Sequence, residues 1–121
     1  MRKSRRRTPK ITQATSTKAE AAIQKVRARI AALDYVATGT LSSRTKTCGQ
    51  PKCACAADPK ARHGPYYEWA RLERGRLAHS VLRPAAATLL RRAIANHRLL
   101  RKLIRAWERE SLRVALATED E

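Results

Sequence analysis

Four side chains that commonly bind metal ions lie close together in the middle of the chain: Cys48, Cys53, Cys55 and His63. Gly49 and Pro51 separate the first two cysteines, so the backbone can turn back on itself there. Zinc prefers a tetrahedron of thiolate and imidazole ligands, and a structural zinc site fills all four positions with protein side chains. The sequence therefore predicts one structural zinc ion held by these four residues.

Two other interpretations of this segment compete with the zinc site. The cysteines could be three reduced, buried thiols beside an unrelated histidine, but the segment is rich in Lys and Ala and offers no apolar core for them. Asp58 is an alternative fourth ligand if His63 points away from the ion. An iron–sulfur cluster would usually need a fourth cysteine, and the chain has three.

The rest of the composition indicates a weak hydrophobic core. The chain of 121 residues has no phenylalanine and one methionine, and much of its apolar content is alanine. A structural zinc site can contribute roughly 10–16 kcal/mol of apparent binding free energy to folding. We therefore expect the metal to supply support that the core lacks.

The net charge of +17, from 27 Lys and Arg against 10 Asp and Glu, indicates a polyanionic partner. Like charges on a small body repel one another, and nucleic acid relieves that repulsion. Solubility alone needs only a modest charge. The chain has no apolar run of about 18 residues and no signal-peptide core, so we expect a cytoplasmic protein without a membrane partner. Three cysteines in such a protein argue against a disulfide framework.

The N-terminal part of the chain is expected to contain a basic arm and one helix. Residues 1–16 are strongly basic and are predicted to be a disordered arm. Thr17 and Glu20 form a capping box that opens a helix over 17–38, fading near Val36. Its apolar stripe consists of Ala19, Ile23, Val26, Ile30 and Leu33.

Residues 39–83 are predicted to form the zinc and β-hairpin unit. Three strands are expected over residues 40–47, 66–72 and 77–82, in one small antiparallel sheet. A two-residue loop at Arg74 and Gly75 would set the register of the hairpin. That register pairs Leu72 with Leu77, Trp69 with Ser80, and Glu73 with Arg76.

A long helix is predicted over residues 84–117, followed by an acidic tail at 118–121. Pro84 suits the first turn, and no breaker follows it. The expected apolar stripe is Ala86, Leu90, Ala93, His97, Leu100, Ile104, Trp107 and Val114. At ~1.5 Å per residue the helix would be roughly 45–50 Å long, which is longer than the small body needs. We expect it to pack on the first helix and also protrude, or to pair with a second copy. The expected fold class is α+β, with residues 17–117 as a single zinc-stapled domain.

The basic residues give a candidate nucleic-acid surface. Arg91, Arg98 and Arg105 recur every seven residues and would form one line along the long helix. Strand alternation places Tyr67 and Trp69 on the core face and leaves Tyr66 able to stack on a base. The full candidate set is Arg5, Arg6, Arg7, Lys10, Arg44, Lys46, Lys52, Arg62, Tyr66, Arg71, Arg74, Arg76, Arg91, Arg98, Arg101, Lys102 and Arg105.

Residues 39–82 resemble an uncharacterised family of small prokaryotic and phage-type proteins. The resemblance rests on a Cys-Gly-x-x-x-Cys-x-Cys pattern followed by His-Gly-Pro-Tyr-Tyr, here Cys48 to Cys55 and His63 to Tyr67. The family is a domain of unknown function, so the resemblance implies no activity. It implies that the Cys/His set and the His-Gly-Pro-Tyr-Tyr run form one structural unit, with a C-terminal helix after it.

The acidic residues give no sign of catalysis. They are scattered along the chain, and Glu108 and Glu110 do not share a helix face. His79 has no matching partner in the sequence. We therefore expect no enzyme but a zinc-containing nucleic-acid-binding protein of low sequence specificity, for RNA or DNA, such as a subunit of a ribonucleoprotein or mobile-element complex. The alternative is a protein-interaction adaptor whose long helix forms a homodimer or binds an acidic partner.

Overall fold

The structure, a computed structural model, describes residues 13–119. Its elements are helix α1 (Gln13–Ala31), strand β1 (Thr40–Lys46), two 3₁₀ turns (Ala54–Ala56 and Pro59–Ala61), strands β2 (His63–Glu73) and β3 (Arg76–Leu82), and helix α2 (Pro84–Glu119). The predicted α+β class is confirmed. Four candidate residues of the basic arm fall outside the described residues, namely Arg5, Arg6, Arg7 and Lys10.

The chain divides into two compact units. One contains the described residues up to Leu33 together with residues 99–119, and the other contains residues 34–98. Helix α2 contributes its N-terminal part to the second unit and its C-terminal part to the first. None of the helices in the described range is long and apolar enough to cross a membrane.

Helix α1 has the predicted buried face but different ends. Ala19 is buried, and Ile23, Val26 and Ile30 are half-buried. The helix begins at Gln13, so Thr17 is not its N-cap and the predicted capping box is wrong. Helix α1 also ends at Ala31 rather than near residue 36, and its last turn closes with a bond from the Leu33 N–H to the Ile30 carbonyl.

The C-terminal part of α2 buries a different face from the predicted one. Leu103 and Ala117 are buried, whereas Ile104 and Trp107 are 41% and 36% exposed. Leucine and isoleucine stand side by side at 103 and 104, so a four-residue or a three-residue step from Leu100 would fit the pattern equally well. The prediction chose the wrong face because apolar spacing cannot separate two adjacent apolar rows.

In the second unit the three strands form an antiparallel sheet in the order β1-β2-β3. The predicted hairpin register is confirmed, with Leu72 opposite Leu77, Trp69 opposite Ser80, and Glu73 opposite Arg76. Arg74 and Gly75 have φ values of 50° and 77°. Two consecutive positive φ values are the signature of a type I′ turn, whose twist matches that of the strands.

The two faces of the sheet differ in exposure. Tyr67 and Trp69 are half-buried, as predicted, together with Leu41, Ser80 and Leu82. The opposite face carries Tyr66 and leaves Leu72, Leu77 and Val81 largely exposed. The buried residues of this unit are Cys55, Ala87, Ala93 and Ile94. This core is small, in agreement with the composition.

The segment before β1 is fastened to α2. The Ala37 N–H donates to the Ala93 carbonyl, and the Asn96 amide donates to the Tyr35 carbonyl at 2.9 Å. The Asp34 carboxylate forms an ion pair with Arg92 and accepts from the Tyr35 N–H at 2.7 Å. The Asp34 carboxylate thus accepts the Tyr35 N–H in place of a helical carbonyl. This competing hydrogen bond helps to explain why α1 does not extend to residue 36.

Candidate metal centre

The candidate metal centre is built by the connection between β1 and β2. Cys48 follows the end of β1, and Gly49 takes a positive φ of 81°. The Cys53 N–H donates to the Gln50 carbonyl at 3.1 Å, which closes a turn and brings the chain back. Cys55 lies in the first 3₁₀ turn, and His63 is the first residue of β2. The ladder pairs His63 with Lys46 at the end of β1, so both ends of the connection are anchored in the sheet.

The four predicted ligands converge on one point. One ligand atom from each of Cys48, Cys53, Cys55 and His63 lies within 4.8 Å of all the others. The Cys48 Sγ and Cys55 Sγ atoms are 3.5 Å apart, and the Cys53 Sγ is 3.4 Å from His63 Nε2. A tetrahedron with Zn–S bonds of about 2.3 Å and Zn–N bonds of about 2.0–2.1 Å has edges of about 3.5–3.8 Å. The four side chains could therefore hold a metal ion.

The thiols at the centre have unequal environments. The pKa of Cys53 is lowered, chiefly by a hydrogen bond from the Cys55 backbone and then by bonds from the Cys55 and Cys48 thiols. The Cys48 N–H donates to the Cys55 Sγ at 3.4 Å and lowers the pKa of Cys55, but burial and the neighbouring thiols outweigh it, so that pKa is raised. A bound cation would favour the thiolate form at all three positions.

The alternative ligand Asp58 has a different role in the structure. Its Oδ1 atom accepts the Lys60 N–H at 2.9 Å and caps the second 3₁₀ turn. Asp58 is not part of the converging cluster found among residues 13–119. His63 is therefore the fourth candidate ligand. The chain between Cys53 and Cys55 was expected to be extended, but Cys55 sits in the 3₁₀ turn that begins at Ala54.

The candidate nucleic-acid residues within the described range are distributed over both units. Arg101, Lys102 and Arg105 lie in the first unit, and the others lie in the second. All of them are exposed except Arg71. The set comprises Arg44, Lys46, Lys52, Arg62, Tyr66, Arg71, Arg74, Arg76, Arg91, Arg98, Arg101, Lys102 and Arg105.

Some of these side chains have partners within the protein. The Arg71 guanidinium lies 4.2 Å from the Trp69 ring centre, pairs with Glu73 at 2.9 Å and donates to Ser80 at 2.6 Å. Lys46 lies over the ring of Tyr66 at 5.2 Å. Arg44 pairs with Glu68 at 2.9 Å. Arg71 is thus a packing residue in this structure, whereas Lys46 and Tyr66 form an exposed basic and aromatic pair.

The structure gives His79 a partner that sequence reasoning missed. His79 Nδ1 lies 2.8 Å from Glu68 Oε1, while Arg44 contacts the other oxygen of the same carboxylate. Glu68 faces Val81 in the ladder, and His79 lies diagonally across on the same exposed face. The predicted register placed these residues as diagonal neighbours, so the signal was present in the hairpin.

Comparison with known proteins gives a family but no function. Residues 16–92, more than half of the chain, match the family model DUF6788, described as a domain of unknown function. No curated protein and no solved structure matches the chain. The match carries no information on source organisms or on a Cys/His signature, so those parts of the resemblance stay predictions.

Proposed function

Because the chain belongs to the DUF6788 family, whose description assigns no function, we propose its function from its own residues: a nucleic-acid-binding protein of low sequence specificity, stapled by one structural zinc ion. The observation that carries the proposal is the exposure of the candidate cations. Within residues 13–119, only Arg44 and Arg71 of that candidate set have an ion-pair partner. Cations without an internal partner are available to phosphate oxygens.

Zinc is the metal that best suits the centre. Three thiolates and an imidazole are the donors of structural zinc sites, and four protein ligands leave no position for a catalytic water. The proposal therefore includes no catalysis. A thiolate site also suits the reducing interior of a cell, and this supports the cytoplasmic location that we propose. A subunit of a ribonucleoprotein or mobile-element complex is the setting we propose.

The zinc assignment can be tested with ligand variants. We expect the purified protein to contain one zinc ion per chain, and Co²⁺ substitution to give the visible spectrum of a tetrahedral thiolate site. Cys53→Ser should lose the metal and the fold of residues 39–83, because one missing ligand leaves the connection between β1 and β2 open.

His63→Ala and Asp58→Ala form a matched pair for the fourth ligand. His63→Ala should lose zinc, and Asp58→Ala should keep it, because Asp58 caps a 3₁₀ turn instead. Full metal removal with no change in thermal stability would refute the structural role of the ion.

Nucleic-acid binding can be tested by salt titration. On duplex DNA, the logarithm of the binding constant should fall with the logarithm of the salt concentration by about 0.9 for each phosphate contact. Purification without nuclease, followed by sequencing of the bound nucleic acid, distinguishes a single RNA from mixed DNA. A protein that elutes from heparin at low salt and brings no nucleic acid with it would contradict the proposal.

A specific observation also supports the adaptor alternative. Ile104, Trp107 and Leu112 line an exposed recess of about 540 Å³ on α2. A positively charged chain disfavours its own copy here and favours an acidic amphipathic helix as the partner. An adaptor would bind that helix with a shallow salt dependence and bind generic nucleic acid weakly. Trp107→Ser should abolish such binding without changing any affinity for nucleic acid.

A further inference from the structure

The second unit contains a small recess with two arginines at its rim. Gly39, Thr40 and Leu41 line one side of it, at the start of β1. Arg91, Ile94, Ala95 and Arg98 line the other side, on α2. All of these residues lie within the unit formed by residues 34–98.

The recess suits a small charged group better than a large ligand. Its volume is about 200 Å³. Pockets for drug-sized ligands occupy about 300–1,000 Å³ and are mostly apolar. Here the lining residues include Thr40, Arg91 and Arg98, which carry hydrogen-bond donors, beside the buried Ile94. The size and the donors both favour an oxyanion.

Neither arginine has an ion-pair partner among residues 13–119. In the part of the chain that the structure describes, Arg91 and Arg98 form no ion pair, whereas the adjacent Arg92 pairs with Asp34. The two residues are seven apart on α2, which separates their backbones by about 10.5 Å at ~1.5 Å per residue. Arginine side chains are long enough to converge on the recess between them, and the planar guanidinium fork matches phosphate oxygens.

We propose that this recess is a phosphate-binding site in which Arg91, Arg98 and Thr40 hold one backbone phosphate of a nucleic acid. The site rests on the proposed function and deepens it. The proposal names one phosphate-binding position within the broad basic surface. Because a phosphate in the recess would contact both α2 and the start of β1, the nucleic-acid strand would pass over the junction between them.

The test compares two double variants that remove the same charge. Arg91→Gln with Arg98→Gln empties the rim of the recess. Arg27→Gln with Arg29→Gln removes two exposed arginines of α1 that are outside the candidate set. Binding to a fluorescein-labelled DNA duplex and to an RNA hairpin is measured by anisotropy over a range of salt concentrations. Circular dichroism and zinc content verify that each variant is folded.

We expect the recess variant to bind ~10-fold or more weakly and its log–log salt slope on duplex to shrink by about 0.9, for the one phosphate contact that is lost. The α1 variant should change the slope by much less. Equal losses in the two variants would overturn the recess while leaving the proposed function intact. Absence of binding by the unaltered protein would overturn both.

A charge-conserving variant gives a second readout if the glutamine variant does not fold. Arg91→Lys with Arg98→Lys keeps both charges but removes the planar forks, so binding should weaken by severalfold with the salt slope nearly unchanged. Affinity equal to that of the unaltered protein would show that general charge, rather than the recess geometry, holds the phosphate.

Discussion

Of the four glycines, Gly39 has the least room for a side chain. It adopts a φ of +109°, and a Cβ atom at this position would lie 2.5 Å from both the Ala70 carbonyl oxygen and Trp69 Nε1. The Trp69 Nε1–H donates to the Thr38 carbonyl at 2.9 Å, so the indole cannot easily move away. The start of β1 therefore depends on a residue without a side chain.

We predict that Gly39→Ala lowers the free energy of unfolding by about 2–4 kcal/mol, from backbone strain of ~1–2 kcal/mol plus the steric contact. Gly75→Ala is the matched control. Gly75 also has a positive φ, 77°, but its Cβ would meet nothing within 4 Å. It should therefore show the backbone strain alone. Equal losses in urea titrations of the two variants would contradict the steric argument.

Arg74 occupies a conformation that arginine rarely adopts. Its φ of 50° belongs to the left-handed region, which asparagine tolerates better than other non-glycine residues. We predict that Arg74→Asn raises the free energy of unfolding by about 0.5–1 kcal/mol, because Asn-Gly is the preferred pair for a type I′ turn. Arg74→Gln removes the same charge without relieving the backbone strain, so it should stabilise the protein less than Arg74→Asn does.

At the level of elements, Asp34 fastens the segment between α1 and β1 to α2. The Tyr35 N–H is the main cause of the lowered pKa of Asp34. Burial is the next largest effect and opposes it, and the Arg92 and Asn96 side chains lower the pKa further. A carboxyl group whose pKa is lower in the folded state stabilises the fold above its ordinary pKa, near 3.8. That stabilisation disappears as the pH falls through the lowered value.

We predict that Asp34→Asn lowers the thermal midpoint at neutral pH, because the amide keeps the shape of the carboxyl group but loses the ion pair with Arg92. The two proteins should converge once the pH has fallen below the lowered pKa of Asp34, where the carboxyl group of the folded protein is protonated. Thermal melts at a series of pH values measure the difference. A gap that persists unchanged into strong acid would assign the effect to packing instead of charge.

At the level of the whole molecule, the excess of positive charge opposes the folded state. A net charge of +17 on 121 residues makes every compact arrangement self-repulsive. We predict that the thermal midpoint of the zinc-loaded, nucleic-acid-free protein rises with NaCl, since the screening length shrinks from about 30 Å at 0.01 M to about 8 Å at 0.15 M. Heparin at low salt should raise it further by binding the folded state. A midpoint that falls over the same range would mean that specific ion pairs outweigh the repulsion.

The sequence by itself determined the features that depend on neighbouring residues. Pro84 and an unbroken helical pattern fixed the start of α2, and the two-residue loop at Arg74 and Gly75 fixed the whole β2–β3 register. Alternation along β2 then placed Tyr67 and Trp69 inside. The four candidate metal ligands could also be predicted from the sequence, because three cysteines and a histidine lie close together between residues 48 and 63.

Only the tertiary structure decided the features that depend on residues distant in the sequence. The pairing of β1 with β2 brings His63, and not Asp58, to the three cysteines as the fourth candidate ligand. The structure buries Leu103 and leaves Ile104 exposed on α2, although the apolar spacing is compatible with either residue being buried. Glu68 on β2 contacts His79 on β3 and Arg44 on β1, because those two strands flank β2 in the sheet. Arg91 and Arg98 line a recess only because the start of β1 lies beside α2. Local geometry fixes which way a side chain points from its own element, but the partner it meets there depends on how distant segments fold together.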